Sequence, residues 1–357
     1  MDKVENIASL DNLLPLIKGH KKIVLAPLDW GLGHATRCIP IIDFLLKHDI
    51  EIIIAAENAP LKILQKQFPD LVYFQLGAKP ITYKSRNMLV NLILQSPRLL
   101  KNYISDKKSA TSVAKKTAAT CIISDNRFGF YSSWITNLYL CHQIVIHHKI
   151  SLFSEIATWL NRQIMSQYDE IVIPDYKGKK SLAGKLSHTN LPNTTYIGPV
   201  TRIKAVVKPI RFDVAIIVSG VEPARTLFEE QILNIIIQMT LLKIVLVRGT
   251  NHALETAINF DKITNVQIID FADTAIIEDL LNSSRLLISR PGYTTLMDIG
   301  HLTIPAILIP TPSQTEQEYL ANYSIKNKRF HQLSQDKIEK LPTLIATILG
   351  QKNQQTI

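Results

Sequence analysis

Short apolar runs rich in β-branched residues alternate with longer amphipathic stretches along the chain, and this alternation constrains the fold more than any other feature. Strands that alternate with helices lie side by side in parallel, and the helices cover both faces of the sheet. We therefore predict an α/β fold of doubly wound, Rossmann-like parallel sheets. The predicted strands are 22–26, 50–55, 71–75, 120–124, 143–147 and 170–173, then 213–219, 243–247, 266–269, 286–289 and 306–309. The predicted helices of the first series are 36–47, 60–68, 87–103 and 151–166.

The two series of strands predict two domains, a number that suits 357 residues. Between them lie Gly198-Pro199-Val200-Thr201-Arg202 and a basic, Pro-containing stretch at 203–211, which is typical of a linker. We place an N-terminal domain at 1–200 and a C-terminal domain at 201–335. A C-terminal helix at 336–350 could pack back across the interface between them.

The composition is that of a folded intracellular protein. With 46% hydrophobic and 20% charged residues, the chain can bury a core. Its acidic, polar N-terminus lacks the profile of a signal peptide, and no apolar run approaches the roughly 20 residues of a membrane span. Three cysteines without metal-ligand spacing indicate core thiols in a reduced compartment. We expect a cytoplasmic location and no metal site.

The net charge of +10 is concentrated in one segment, residues 79–116, which carries nine Lys or Arg and a single acid, Asp106. Leucine, isoleucine and methionine are interleaved with these charges. The segment could lie on an anionic membrane surface, grip an acidic ligand, or simply be a solvated helical face. No nucleic-acid-binding module is recognisable, so we expect no nucleic-acid partner.

The turn after the first predicted strand contains Gly31, Gly33 and His34. Ligands of doubly wound folds bind where a strand turns into a helix, and glycines permit a close approach of the backbone. A helix N-terminus disfavours the charged imidazole, which helps to keep His34 neutral and competent as a base. An ordinary glycine turn with a surface histidine would give the same pattern.

Asp125 ends another predicted strand of this half, within Ser124-Asp125-Asn126-Arg127. Its carboxylate could hydrogen-bond the second ring nitrogen of His34 and orient the ring. Asp and Asn also form Asx turns at strand ends, so structural chemistry alone would account for it. The histidines at 142, 147 and 148 are expected to be structural, since no metal-ligand spacing accompanies them.

The strongest motif runs from Ser289 to Asp298, where a predicted strand gives way to a helix near Gly292. Free backbone N–H groups, the helix dipole and the hydroxyls of Ser289 and Thr294 make an anion site suited to phosphate, with Arg290 beside it. Asp298, further along the helix, could accept both hydroxyls of a ribose. Alternatively, it only complements the helix dipole.

Two further turns belong to the same predicted half. In the run 310–319, Ser313 and Glu316 have the spacing of a capping box, while Gln317 and Glu318 could read the hydroxyls of a sugar. The pair Ser219-Gly220 ends the first strand of this half and is a plausible phosphate-facing turn.

These motifs together resemble glycosyltransferase family 28, the family of the N-acetylglucosaminyltransferase of peptidoglycan precursor synthesis. Residues 289–319 resemble its donor-binding signature, and Gly31-Leu32-Gly33-His34 resembles its N-terminal glycine loop. Runs 124–127 and 310–319 are closer still to an uncharacterised bacterial branch. The resemblance implies a GT-B fold whose two domains face a cleft, an inverting mechanism, and a nucleotide sugar bound without an obligatory metal or other cofactor.

The resemblance also implies roles for single residues. Asp298 stands in place of a ribose-binding glutamate, and Gln317 and Glu318 fall on two glutamines that contact the donor sugar. Arg202 lies at a domain-junction arginine that could face the diphosphate. Asp298 is one methylene shorter than the family's residue, Glu318 replaces an amide, and Pro291 replaces a serine, which puts the identity of the sugar in doubt.

The leading hypothesis is an inverting transfer of a hexosyl group from a UDP-sugar, bound by the C-terminal domain, to a hydroxyl acceptor in the N-terminal domain. The acceptor could be lipid-linked or a surface glycan, and the protein could be peripheral on the inner face of the cytoplasmic membrane. His34 would be the general base and Asp125 its orienting partner.

Two alternatives stay open. The Gly-x-Gly-His-x-x-Arg-Cys run at 31–38 also resembles a sugar-nucleotide hydrolase of pseudaminic acid synthesis, so hydrolysis or epimerisation on the same fold is possible. The other alternative is a non-catalytic subunit that binds the donor or docks on the membrane.

Overall fold

The computed structural model describes residues 9–77, 88–148, 150–250 and 263–350. The chain divides into two compact units, Met1–Arg202 and Ile203–Ile357. Each unit is built on a parallel sheet of its own. In the described part of the chain, no helix has both the length and the apolar character that a membrane span requires.

Among the described residues of the first unit, seven parallel strands form a sheet in the order β3-β2-β1-β4-β5-β6-β7. The central strands are buried on both faces because they consist largely of Ile, Val, Leu and Ala. The strands are β1 Lys22–Pro27, β2 Glu51–Ala56, β3 Val72–Gln75, β4 Cys121–Asp125, β5 Thr136–Leu140, β6 Glu170–Ile173 and β7 Thr194–Tyr196. The helices described here are α1 Leu14–Ile17, α2 Leu32–Leu46, α3 Asn58–Gln67, α4 Met88–Thr117 and α5 Ser151–Met165.

The second unit repeats this plan. Its described residues form six parallel strands in the order β10-β9-β8-β11-β12-β13. The strands are β8 Phe212–Ile217, β9 Ile244–Val247, β10 Val266–Ile269, β11 Ser284–Ser289, β12 Ala306–Leu308 and β13 Phe330–Gln332. The helices are α6 Ala224–Ile236, α7 Thr274–Asn282, α8 Tyr293–Gly300, α9 Thr315–Ser324 and α10 Leu341–Leu349. Helix α10 packs into the core of this unit through Leu341 and Ile345.

The predicted strand at 143–147 is wrong, because the fifth strand is Thr136–Leu140 and the later residues form an irregular segment. Ile144 is nevertheless fully buried, and the N–H groups of Ile144 and Val145 both donate to the carbonyl of Leu186. Their apolar character therefore reflects burial rather than strand pairing. The short edge strands β7 and β13 were not predicted, and α4 runs 14 residues beyond the predicted end at 103.

Each sheet has one point at which the direction of winding reverses. In the first unit the chain winds outward from β1 to β3 and then resumes at β4 on the other side of β1. In the second unit it winds from β8 to β10 and resumes at β11, beside β8. Ligands of doubly wound folds bind beyond the carboxyl ends of the two strands at this point. The turns that leave β1, β4, β8 and β11 are therefore where functional side chains are expected.

Candidate functional site

The reversal point of the first unit carries His34. Strand β1 ends at Pro27, and α2 begins at Leu32 after Gly31, whose φ of 75° lies in the left-handed region. A Cβ at Gly31 would meet nothing within 4 Å, so the glycine is needed for the direction of the chain and not for space. His34 is thus the third residue of α2, at the helix N-terminus where the sequence placed it.

Asp125 lies directly opposite, because β4 pairs with β1 so that Asp125 is in register with Pro27. Its carboxylate is completely buried, and Oδ2 lies 3.1 Å from Nδ1 of His34. The contact expected between these two side chains is therefore present. Their roles as base and orienting partner remain predictions.

Arg37 is a member of this group that the sequence analysis did not assign to the site. One turn after His34 on α2, its buried guanidinium donates from Nε to Oδ1 of Asp125 at 2.8 Å and from Nη2 to the same oxygen. Nη2 also lies 2.8 Å from Nδ1 of His34, and Nη1 lies 3.4 Å from Nδ1 of His142. The signal in the sequence was the i, i+3 spacing from His34, which puts both side chains on one helix face.

The electrostatics of the group favour a neutral ring beside a charged carboxylate. Burial lowers the pKa of His34, and the nearby Arg37 cation lowers it further against the opposing effect of Asp125. Burial alone would raise the pKa of Asp125, but Arg37 and His34 outweigh it and hold that pKa below its ordinary value. At neutral pH the ring is therefore an uncharged imidazole that can accept a proton.

The other residues of the 124–127 run make contacts that stabilise the fold. Arg127 is buried and forms an ion pair with Asp106 and another with Glu57, each with a closest N–O distance of 2.8 Å. The Ser124 hydroxyl donates to the carbonyl of Arg127 at 2.7 Å. Asn126 has a φ of 54°, and its side-chain oxygen accepts from the hydroxyl of Tyr139. Within this run, only Asp125 reaches His34.

In the second unit, β11 ends at Ser289 and α8 begins at Tyr293, with Gly292 as its N-cap. The N-cap glycine makes no side-chain capping hydrogen bond, and the positive end of the helix dipole, which favours an anion, lies at this terminus. Ser289 is in register with Ile217 of β8, and the pair Ser219-Gly220 follows that strand with Gly220 at a φ of 122°. The structure thus brings the two predicted phosphate-facing turns to the same reversal point.

Arg290 is the most unusual residue of this second group. It is 1% exposed, its Nη1 donates to the carbonyl of Ile309 at 3.0 Å, and its guanidinium lies 3.9 Å from the ring centre of Phe228. Its Nε has no hydrogen-bond partner, nor has the buried hydroxyl of Ser289. Burial lowers the pKa of Arg290 to about 9, so the cation is still the main form at neutral pH.

No described carboxylate forms an ion pair with Arg290, and this contrasts with its neighbours. Arg225 and Arg248 share the buried Glu229, with N–O distances of 3.0 and 2.5 Å, and Arg248 also reaches Asp270 at 2.6 Å. Burying a cation without a counter-charge is costly. Arg290 beside Ser289 and an uncapped helix therefore has the chemistry of a site for an anionic ligand.

The predicted ribose and sugar contacts lie on α8 and α9. Asp298 is the sixth residue of α8 and is 7% exposed. Gln317 accepts the N–H of Thr311 on its side-chain oxygen at 2.8 Å, and Glu318 accepts the N–H of Ser313 at 3.0 Å. Both side chains therefore also hold the loop before α9.

The predicted capping box of Ser313 and Glu316 is wrong. Helix α9 begins at Thr315, its N-cap is Gln314, and the Gln314 side chain accepts the N–H of Gln317. Ser313 has a φ of 66°, outside the extended region that an N-cap residue normally adopts. Thr294 lies half-buried in the first turn of α8, and Arg202 is the last residue of the first unit.

The described residues contain no group of three or more His, Cys, Asp or Glu side chains that could hold a metal ion. The group around His34 contains Arg37, Cys38, Asp125 and His142, and the group around Arg290 contains the hydroxyl of Ser289. A neutral histidine beside a carboxylate can accept a proton, and a buried cation that no described carboxylate pairs with can bind an anion.

Comparison with known proteins adds a family to this description. Residues 215–356 match the model of the glycosyltransferase family 28 C-terminal domain. The UDP-N-acetylglucosamine--N-acetylmuramyl-(pentapeptide) pyrophosphoryl-undecaprenol N-acetylglucosamine transferase of Oenococcus oeni is 42% identical over 66 residues. This match covers 18% of the chain and only 16% of the relative.

Solved glycosyltransferases share the fold of the whole chain. The glycosyltransferase of kitacinnamycin has a TM-score of 0.66 at 11% identity, covering 93% of this chain and 91% of that one. MurG of Acinetobacter baumannii has a TM-score of 0.54 at 12% identity, covering 92% and 90%. LpCGTa in complex with UDP has 0.58 at 12%, covering 93% and 91%. The predicted GT-B fold and the resemblance to family 28 are therefore confirmed.

Proposed function

We propose that this family 28-like chain of GT-B fold transfers a hexosyl group from a UDP-sugar to a hydroxyl acceptor, with inversion at the sugar carbon. The family match over the second unit and the shared fold support glycosyl transfer in general. The observation that carries the donor half of the proposal is Arg290, a buried cation with no described carboxylate partner, beside the unpartnered hydroxyl of Ser289.

A nucleoside diphosphate suits this place better than a neutral ligand. Its phosphates would accept hydrogen bonds from Nε of Arg290 and from the hydroxyl of Ser289, and would lie at the positive end of the α8 dipole. LpCGTa was solved with UDP and the spinosyn rhamnosyltransferase SpnG with thymidine diphosphate, so two proteins of this fold hold such ligands. In our proposal Asp298 binds the ribose, while Gln317 and Glu318 contact the sugar.

The first unit supplies the base in this proposal. His34 accepts the proton of the acceptor hydroxyl as its oxygen attacks the anomeric carbon, and the bond to the diphosphate breaks on the opposite face. UDP leaves with the bonding electrons, and Arg290, Ser219, Gly220 and the domain-junction Arg202 stabilise its charge. A single displacement of this kind inverts the anomeric configuration and needs no metal ion or other cofactor.

A binding experiment followed by a turnover experiment tests the proposal. We expect UDP to raise the melting temperature of the protein strongly, UMP to raise it less, and uridine not at all, because the diphosphate carries the contacts. Chromatography of UDP-sugars incubated with the protein then separates the possible functions. Rapid sugar release without an acceptor would show a hydrolase, and UDP binding without turnover on any acceptor would show a non-catalytic subunit. Failure of every nucleoside diphosphate to bind would refute the proposal.

We also propose that the protein works at an anionic membrane surface on the cytoplasmic side, where a lipid-linked acceptor or a growing surface glycan would be met. The basic segment predicted for this contact spans 79–116, of which 79–87 lie outside the described residues. On the described part of α4, the apolar Leu100 and Ile104 are exposed beside Lys101 and Lys108. Such a face suits anionic headgroups.

Helix α5 adds an apolar face to the same unit. It carries five exposed large apolar side chains at helical spacing, which we call the α5 stripe: Leu152, Phe153, Ile156, Trp159 and Leu160. The hydroxyl of Tyr131 lies 3.0 Å from the hydroxyl of Tyr103 on α4 and donates at 3.4 Å to Gln167, which follows the end of α5 by two residues. Exposed lysines complement the charge of an anionic bilayer, and an exposed apolar stripe complements its interior.

A further inference from the structure

Two groups of opposite hydrogen-bonding character contact one atom of His34. Nη2 of Arg37 lies 2.8 Å from Nδ1, and Oδ2 of Asp125 lies 3.1 Å from the same nitrogen. A guanidinium can only donate and a carboxylate can only accept. Nδ1 can therefore satisfy one of these partners at a time.

The choice of partner decides what the other ring nitrogen can do. If Nδ1 carries the proton, it donates to Asp125 and leaves a lone pair on Nε2, which is the form that can act as a base. If Nδ1 accepts from Arg37, the proton sits on Nε2, and the ring can only donate a hydrogen bond from that side. The two tautomers are thus linked to two alternative contacts within the buried group.

We propose that Arg37 is a positioning residue that sets both the tautomer and the charge of His34, by competing with Asp125 for Nδ1. This inference rests on the proposed role of His34 as the base. Arg37 does not reach the substrate in this scheme. It opposes the effect of Asp125, which alone would favour a proton on Nδ1 of His34.

The surroundings of His34 support this assignment. The charged or titratable groups that contact the ring or its partners are Arg37 and Cys38 on α2, Asp125 at the end of β4, and His142 after β5. Nε and Nη2 of Arg37 both donate to Oδ1 of Asp125. If the guanidinium moved away, this buried carboxylate would lose its cationic partner. Its position beside Nδ1 is therefore fixed by an ion pair whose side chains are 2% and 0% exposed.

The direction of each effect follows from charge. Arg37 disfavours a proton on the ring, while Asp125 favours one. Removing Arg37 should raise the pKa of His34, because a nearby cation that disfavours the charged ring is lost. Replacing Asp125 by Asn should lower that pKa and fix the ring in the Nε2–H form, since Arg37 then meets no competing charge at Nδ1.

Nitrogen-15 NMR of the full-length, histidine-labelled protein tests this without any substrate. The ring nitrogen shifts of His34 report its tautomer and its pKa, and the H34Q variant assigns the signals. We expect R37M to raise the pKa and to enrich the Nδ1–H form, and D125N to lower the pKa and enrich the Nε2–H form. The matched control is R162M, which removes an exposed arginine of α5. Its His34 signals should match the wild type.

A His34 pKa and tautomer that are unchanged in R37M would overturn the proposal. Should R37M fail to fold because Asp125 is left buried and unpaired, D125N and R37M/D125N provide the comparison instead. In that pair, loss of Arg37 must raise the pKa of His34 and reduce the Nε2–H form, and an identical ring in both would equally refute the idea. The outcome is independent of turnover, so failure of the glycosyltransferase proposal would be seen separately.

Discussion

At the scale of single residues, the buried arginines that the structure describes fall into two groups. Arg37, Arg127, Arg225 and Arg248 each contact a carboxylate and tie neighbouring elements together. Arg290 instead contacts two backbone carbonyls, those of Ile309 and Ala224, and an aromatic ring. These contacts do not neutralise its charge, so keeping the Arg290 cation buried costs free energy of folding. The two groups should therefore respond oppositely to replacement, with loss of stability in the first and loss of ligand binding in the second.

We predict that R290M weakens UDP binding roughly 10- to 100-fold, since a hydrogen bond to a charged group is worth about 1.5–3 kcal/mol. The melting temperature of the ligand-free variant should equal or exceed that of the wild type, because an uncompensated buried charge is removed. Calorimetric titration and thermal unfolding measure the two effects. R285M, which removes an exposed arginine paired with Asp213, is the matched control and should bind UDP normally.

The lowered pKa of His34 also predicts how stability depends on pH. The folded state holds a proton on this ring less readily than the unfolded chain, whose histidine has a pKa near 6.5. The free energy of unfolding should therefore be fully retained above that value and fall as the pH drops below it. Urea unfolding at about pH 7.5 and about pH 5.5 measures this difference. H34Q should reduce it, and an equal slope in both proteins would contradict the prediction.

At the scale of elements, the α5 stripe is the feature that a folded core does not explain. Helix α5 buries Asn161 and Met165 on one face and leaves five large apolar side chains exposed on another. Isolated exposed apolar residues are normal, but a row of them marks a contact surface. One face of α5 therefore packs against the unit, and the α5 stripe has the composition of a second contact face.

We predict that the full-length protein floats with vesicles containing anionic lipid and not with purely zwitterionic vesicles. W159S/L160S should lose this binding, because two apolar side chains of the α5 stripe no longer enter the bilayer. L241S removes a leucine of the second unit that is 75% exposed, and it should bind like the wild type. Binding that is unaffected by W159S/L160S would refute the assignment of this face, and dimerisation lost in that variant would indicate a second copy as its partner.

The elements show how far the sequence could predict the fold. Strands such as β2, with three successive isoleucines, were predicted within one or two residues because burial on both faces requires continuous apolar runs. The segment 143–147 has the same composition but pairs with Leu186 as an irregular strip, a tertiary contact that local pattern does not reveal. Strands β7 and β13 have three residues each and include polar side chains, so neither gives the continuous apolar run by which the equally short β12 was predicted.

The candidate site was predictable to a similar degree. His34 and Asp125 could be placed together because parallel strands end at one edge of a sheet. Arg37 was missed because its i, i+3 spacing from His34 does not show that its guanidinium is buried against Asp125. The loop-holding contacts of Gln317 and Glu318 were likewise invisible, since they depend on the backbone of residues 311–313.

At the scale of the whole molecule, the two proposed halves of the reaction lie on separate units. His34, Arg37 and Asp125 belong to the first unit, while Ser289 and Arg290 belong to the second, and each unit has its own hydrophobic core. A change in one group should therefore leave the folding of the other group intact. The division predicts that turnover and donor binding can be separated by mutation.

We predict that H34Q lowers kcat by roughly 10²- to 10⁴-fold, the usual contribution of a positioned base. Its affinity for UDP should equal that of the wild type, because His34 is not among the proposed diphosphate contacts, all of which except Arg202 lie on the other unit. Steady-state kinetics with saturating donor and calorimetry with UDP measure the two quantities. Equal kcat in both proteins would remove the base assignment, and weakened UDP binding would show that the two groups are not separable.

The burial of all three cysteines makes this molecule convenient for single-molecule fluorescence. Cys38, Cys121 and Cys141 are at most 1% exposed, and burial raises the pKa of Cys38 and Cys121, so a maleimide should not reach their thiols in the native state. A cysteine at the exposed Asp70 of the first unit and another at Leu241 of the second would then be the reactive pair. Energy transfer between two dyes in D70C/L241C would follow the separation of the two units directly as UDP-sugar and acceptor are added.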